Sequence, residues 1–184
     1  MSTLPQASQP MPALPLRNND VHWYAVMSRP KHEKKVAEAM RQVGLPVFLP
    51  LVTEMHRWSD RRKAVEMPLF PGYLFVRITP TAESKVSVLR LAGVLQLVGG
   101  SGYGTPIADS EIESIRVILK SDLVVSNANY VKVGQRVRVR GGSLDGVEGV
   151  LAERGRRLVV SVNAIHRSLS IILEGFTVEP VTAS

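Results

Sequence analysis

The sequence contains no cysteine. That absence rules out disulfides, thiolate metal sites and a cysteine nucleophile, and it makes the reducing cytoplasm the expected compartment. Histidine is almost as scarce. His22, His32, His56 and His166 are not spaced like metal ligands, so neither a metal nor a cofactor is expected. No apolar run approaches the ~18 to 20 residues that a membrane span needs, and no membrane partner is expected. Recognisable catalytic sets are missing too: no nucleophile beside a base, no carboxylate pair and no metal triad. The glycine-rich stretch Gly99–Gly104 lacks the Gly-Lys-Ser/Thr ending of a phosphate loop and reads as a turn. An enzyme is therefore not expected.

What is present is basic charge. Across 184 residues, 23 Lys and Arg stand against 16 Asp and Glu, a net charge of +7, which favours a polyanionic neighbour. Residues 21–120 hold 14 of the basic residues against 9 acidic ones, so the first half carries most of the excess. Residues 1–20, with four prolines among small polar residues, read as a flexible tail.

From Val21 the pattern tightens. His22–Ser28 reads as a strand, with Ser28 a candidate helix N-cap and Pro30 near the first helical position. A helix follows in which Val36, Met40 and Val43 share a face, stopped by Gly44 and Pro46. Val47–Val52 reads as one apolar strand, and two hairpin arms then flank a basic tip around Ser59–Arg61. Gly72–Ile78 reads as a central strand, residues 82–91 as a short helix and residues 93–100 as a strand. Residues 108–120 read as a helix capped by Asp109 or Ser110, with Ile112, Ile115, Ile118 and Leu119 facing inward. This alternation predicts an α/β (α+β) first domain, residues 21–120, with a central antiparallel sheet flanked by helices. Residues 121–131 lose periodicity and read as a linker. In residues 132–184, Val137 and Val139 alternate with Arg136, Arg138 and Arg140, and glycine turns lead into further strands, the pattern of a small all-β barrel. Gly142, Gly146 and Gly149 fit turns or bulges there.

Two stretches carry a family resemblance. The run from Trp23 to Val52, followed by "PLFPGYLFVRI" (Pro68–Ile78) and "GVLQLVGG", resembles the N-terminal domain of NusG-type transcription elongation and antitermination factors. "VGQRVRVRGGSLDGVEGVL" (residues 133–151) resembles the KOW motif of their C-terminal SH3-like barrel. Together the two cover residues 23–181 in the family's order. "SRPKHEKKVAE" and "RWSDRRKAVEMPLFPGYLFVRI" look more like the specialised RfaH and UpxY paralogues, which act at selected operons such as those for surface polysaccharides.

The resemblance implies a factor that binds RNA polymerase, suppresses pausing or termination, and recruits a second partner through its barrel. Its grip on the clamp helices of the largest polymerase subunit would use an apolar patch formed here by Met27, Leu69, Phe70, Tyr73 and Phe75. Ser84, Lys85 and Val86 match the family's gate-loop contact in part. Arg29, Lys31, Lys34 and Lys35 would lie against non-template DNA in the transcription bubble, whereas Leu91 and Ala92 put apolar groups where relatives contact DNA. On their own chemistry, Arg57, Trp58, Arg61 and Arg62 at the hairpin tip can hold phosphates and stack on a base, or serve as charges that prevent edge pairing. Asn163, Ala164, Ile165, His166 and Arg167 match the loop that docks on a small-subunit ribosomal protein or on Rho, and an exposed Ile165 there would suit a partner. Two alternatives stand beside this reading: a ribosome-associated or RNA-binding KOW protein, and a Rho-assisting general NusG.

Some RfaH-type relatives store the barrel as a helical hairpin. Here the valine alternation and the glycines between Gly141 and Gly155 predict the β form, since each glycine costs a helix roughly 1 kcal/mol relative to alanine. Glu113 and Arg116 place charge on the last helix of the first domain where docking would need apolar surface. The expectation is an open monomer of two undocked domains, with Tyr73 and Phe75 accessible.

Overall fold

The first half is built on β1 (His22–Ser28), which pairs antiparallel with β5 (Tyr73–Ile78) from His22↔Ile78 to Met27↔Tyr73. The computed structural model describes residues 21–57, 62–100, 102–121, 123, 125–128, 134–152 and 157–181, without the side chains at positions 56, 57, 62, 63 and 126–128. β2 (Val47–Phe48) closes the far edge of β5, while β6 (Val94–Leu97) and β7 (Pro106–Ile107) share the other edge of β1. Side chains alternate across a strand, so Tyr24, Val26, Leu74, Val76 and Ile78 face one side, against Val36, Ala37 and Met40 of α1 (Glu33–Gln42) and Val88 of α2 (Ala82–Leu89). Trp23, Ala25 and Phe75 face the other, under α3 (Asp109–Lys120). Burial on both faces is why these strands read as near-continuous apolar runs.

Local chemistry moves several boundaries. α1 starts at Glu33 rather than near Pro30, because Lys31 takes a left-handed turn at φ 63° and His32 becomes the N-cap without a side-chain cap. Ser28 stays in the strand, its amide donating to the Gly72 carbonyl at 2.8 Å. Val43 is 57% exposed at the helix end, and Ala37 fills the inward position instead. The apolar run 47–52 splits at Pro50, which has no N–H to give a ladder, so β3 (Leu51–Arg57) pairs with β4 (Arg62–Pro68) as a separate two-stranded hairpin. α3 is preceded by Ala108, so Asp109 and Ser110 lie inside the helix instead of capping it.

The second half is all β, as expected. β8 (Ser126–Ala128), β9 (Arg136–Arg140), β10 (Glu148–Ala152), β11 (Arg157–Val162), β12 (Arg167–Ile172) and β13 (Thr177–Pro180) form one antiparallel sheet in the order β13-β9-β10-β11-β12-β8. β8 falls inside the stretch that reads as a linker. Val137, Val139, Leu144, Leu158, Val160, Val162, Leu169 and Ile171 supply the core. Gly149 sits where strands approach so closely that a Cβ would meet the Val159 carbonyl oxygen at 2.6 Å.

The two halves are docked, contrary to the open arrangement expected from the charges on α3. α3 contacts β10, β11 and the 3₁₀ turn Gly142–Leu144 on one side and β1 on the other. Ile115 and Ile118, both fully buried, belong to one apolar cluster running from Trp23 to Leu173. Arg116 does not obstruct this. Its guanidinium, a cation that is weakly hydrated by nature, lies over aromatic rings with its carbon 5.1 Å from the Trp23 ring centre and 5.0 Å from that of Phe48, and Glu113 pairs with it at the surface.

Because Ile115 belongs to the cluster shared by both halves, Ile115→Ala is expected to lower stability by about 2–4 kcal/mol. Urea denaturation followed by tryptophan fluorescence and far-UV circular dichroism checks this, and a loss below about 1 kcal/mol contradicts it.

Candidate interaction surfaces

Pro71 and Gly72 form the centre of a β-turn closed by the Tyr73 amide on the Phe70 carbonyl at 3.0 Å, with Gly72 at φ 84°. This pattern marks a type II turn, in which glycine suits the left-handed second position. The turn feeds Tyr73 into β5 opposite Met27. Of the five apolar residues expected as a contact patch, Leu69, Phe70 and Phe75 are at most 2% exposed. Phe75 stacks on Phe48 at 6.1 Å and meets Phe70 edge-on at 6.3 Å. Only Met27 and Tyr73 are half-buried and offer surface, and the Gln96 amide reaches the Met27 sulfur at 4.0 Å. Phe75 is thus core, and the accessible face expected for it is absent.

Beside this patch lies the cationic start of α1. Arg29, Lys31 and Lys35 are exposed and pair with no carboxylate of the described residues, whereas Lys34 reaches Glu66 of the hairpin at 3.5 Å. The Arg29 amide donates to the Gly93 carbonyl at 2.8 Å, which sets this loop against Leu91 and Ala92. Trp58 and Arg61 lie outside the described residues, as do the side chains of Arg57 and Arg62. At the head of α2, Thr81 caps the helix by accepting from the Ser84 amide at 3.2 Å and donates its hydroxyl to Ser84 Oγ at 3.0 Å. Lys85 Nζ stands 5.5 Å from the Tyr103 ring centre.

In the second half, Asn163, Ala164 and Ile165 form a 3₁₀ turn and His166 takes a left-handed conformation before Arg167 opens β12. Ile165 is 6% exposed, so it anchors the turn rather than presenting itself to a partner. Asn163 faces α3 instead: its backbone amide donates to Glu111 Oε2 at 3.2 Å and its side-chain amide to Oε1 at 2.9 Å. Glu111 and Ser114 line a cleft of about 320 Å³ against Val160, Ser161 and Asn163. The β9 arginines are paired as well. Arg138 Nε donates to Glu148 at 2.9 Å, Arg136 reaches the same carboxylate at 3.5 Å, and Arg140 meets Glu179 at 2.5 Å. That last hydrogen bond holds the Glu179 carboxyl below its usual range.

Two residues escaped the sequence reading. Glu33, 5% exposed, accepts the Gly72 amide at 2.7 Å; a first-turn glutamate of a basic helix gives no sign of burial. Glu111 lies 52 positions from Asn163, and nothing local links them.

A family model described as transcription termination factor nusG matches residues 21–116. The transcription termination/antitermination protein NusG of Lactococcus lactis is 29% identical over 178 residues, spanning 89% of this chain and 95% of that protein. Its namesake in Chlamydia pneumoniae is 33% identical, spanning 86% and 94%. A solved structure of Thermotoga maritima NusG is 23% identical with a TM-score of 0.49, covering 84% of this chain and 93% of that one. With the family model spanning the entire first-half sheet and relatives aligned through the second, the chain belongs to the NusG family of transcription termination/antitermination proteins.

Proposed function

We propose that this chain is a general elongation factor of the NusG type that binds RNA polymerase in the cytoplasm as a monomer, suppressing pausing or termination without catalysing a reaction. The observation that carries the reading is the pairing of Met27 and Tyr73 across β1 and β5, over an aromatic floor of Phe48, Phe70 and Phe75, beside the unpaired cations Arg29, Lys31 and Lys35. An aromatic and a methionine on a rigid base suit an apolar coiled coil such as the clamp helices of the largest polymerase subunit. Leu69, Phe70 and Phe75 serve that contact from beneath. Ser84 and Lys85 remain candidates for a second grip at the gate loop. Tighter binding to the closed clamp than to the open one shifts the population toward processive elongation.

The cations then meet non-template DNA. Leu91 and Ala92 beside them offer no side-chain hydrogen bond to a base, which supports contact without sequence preference and a general role over the operon-restricted one of the RfaH and UpxY paralogues. A primary RNA-binding role for the KOW region fares less well, since the arginines of β9 are already paired with Glu148 and Glu179. The turn at Asn163–Arg167 is the proposed contact for a ribosomal small-subunit protein or Rho, and such a partner has to displace Glu111.

Met27→Ala with Tyr73→Ala is expected to weaken binding to isolated clamp helices by about 2 kcal/mol or more, read by calorimetry. Unchanged affinity in the folded variant sinks the reading. Three free cations predict a log–log salt slope near −2 for single-stranded DNA, at about −0.7 per phosphate neutralised. Lys35→Ala should lower that slope by about 0.7, and a salt-independent affinity argues against phosphate contact. Glu111→Ala is expected to raise the affinity of the full chain for the partner of the Asn163 turn only severalfold, because its two hydrogen bonds lie at the surface; equal affinities in pull-down titrations show that these two hydrogen bonds do not hold the turn back.

A further inference from the structure

We infer that Glu33 is the positioning residue of the polymerase-facing surface: its buried carboxylate selects the conformation of the Phe70–Tyr73 turn and so sets Tyr73 against Met27. The inference rests on the reading of Met27 and Tyr73 as the contact surface. Type I and type II turns share their end points and differ chiefly by a flip of the central peptide. Here that peptide joins Pro71 to Gly72, and its N–H points at Glu33 Oε1, 2.7 Å away. In the flipped form the Pro71 carbonyl would take the place of that N–H, and a carbonyl oxygen against a buried carboxylate is repulsive. Glu33 therefore disfavours the alternative as well as stabilising the observed turn. Hydrogen bonds to an ionised acceptor are the stronger kind, and at 5% exposure Glu33 has little water to compete for it.

The other side of Gly72 is fixed too. Its carbonyl accepts the Ser28 amide at 2.8 Å, so both polar groups of this glycine are held by the segment that runs from the end of β1 into α1. No atom lies within 4 Å of a Cβ built on Gly72. Crowding around Gly72 therefore does not fix the orientation of the central peptide; its backbone conformation and these two hydrogen bonds do, between the buried Phe70 and the half-buried Tyr73. Glu33 also sits among Arg29, Lys31, Lys34 and Lys35 in sequence, so one short segment carries the cations outward and the carboxylate inward. The patch and the cationic loop are thereby held in a fixed relation.

The test compares Glu33→Ala, which removes the acceptor, with Glu33→Gln, which keeps a carbonyl oxygen in its place. The readouts on the full chain are hydrogen exchange at the Gly72 amide and affinity for isolated clamp helices, with exchange at the Val160 amide as the control for global stability. Glu33→Ala is expected to speed Gly72 exchange and weaken clamp-helix binding by about tenfold or more, with Val160 unchanged, and Glu33→Gln, which keeps an acceptor but loses the charge and gains an NH2 able to pair with the flipped Pro71 carbonyl, to fall between the alanine variant and the natural protein in both. Should Glu33→Ala not fold, Glu33→Asp, whose oxygen is drawn back by one bond length, takes its place with the same expectations. Natural exchange and affinity in the variant lacking the acceptor overturn the inference, as does a glutamine variant as impaired as the alanine one. If Gly72 exchange responds while Tyr73→Ala leaves clamp-helix binding intact, the turn-setting role stands and the choice of contact surface is what fails.

Discussion

A central sheet buried on both faces is the constraint on which the rest of the molecule depends. Each face needs a cover, and α1 with α2 supplies one of them over Tyr24, Val26, Leu74 and Val76. The other face, with Trp23, Ala25 and Phe75, rests on α3. A helix of 12 residues spans only about 18 Å at 1.5 Å per residue, and its sides do different things. Ile112 and Arg116 address Trp23, while Glu111 and Ser114 address the second sheet, with Ile115 and Ile118 between them. Leaving that second side in water would expose isoleucine, so the C-terminal sheet covers it. Sheet, helix and sheet form a chain of obligation, and Met27 and Tyr73, paired at one end of the strands, remain half-buried at its margin.

The strands of the first half were legible because continuous apolar runs and glycine stops mark them, and β1 begins and ends where composition places it. α1 was legible as a helix but not in its start, since Lys31 adopts a left-handed conformation in a loop that is tied by the Arg29 to Gly93 hydrogen bond, a long-range bond with no local signal. β7 and β8 are too short, at two and three residues, to carry a period. The site was less legible than the fold. Alternation says that Tyr73 and Phe75 share a face, but not that α3 and Phe48 occupy it, so an aromatic face looks the same in sequence whether it is surface or core. Docking was misjudged for a related reason: arginine counts as charge in a sequence, whereas the Arg116 guanidinium lies within cation–π distance of Trp23 and Phe48.

The basic excess also divides in a way that composition conceals. On β9, arginines at alternate positions meet Glu148 and Glu179 across neighbouring strands, where opposite charges face each other at sheet spacing. Their work is structural. At the start of α1 the cations project from a turn and a first helical turn, and the inward carboxylate there is spent on a backbone amide rather than on any of them. Among the described residues, three cations without a carboxylate partner, Arg29, Lys31 and Lys35, therefore gather beside the aromatic turn.

Docking of the C-terminal sheet sets a threshold for any partner of its Asn163 turn. The Glu111 carboxylate is not deeply buried and its two hydrogen bonds lie at the surface, so they add direction more than energy; the isoleucines of α3 supply the attraction. Only a short segment joins Lys120 to Ser126, and a short tether holds its two ends at an effective concentration on the order of millimolar. A free partner present at about micromolar concentration starts a thousandfold behind α3 and has to make that up in intrinsic affinity, about 4 kcal/mol. An isolated asparagine contact cannot supply it. A partner that succeeds must engage the apolar surface that α3 vacates along with the turn, and in doing so it uncovers the side of α3 that faces away from Trp23, leaving the sheet's own cover in place.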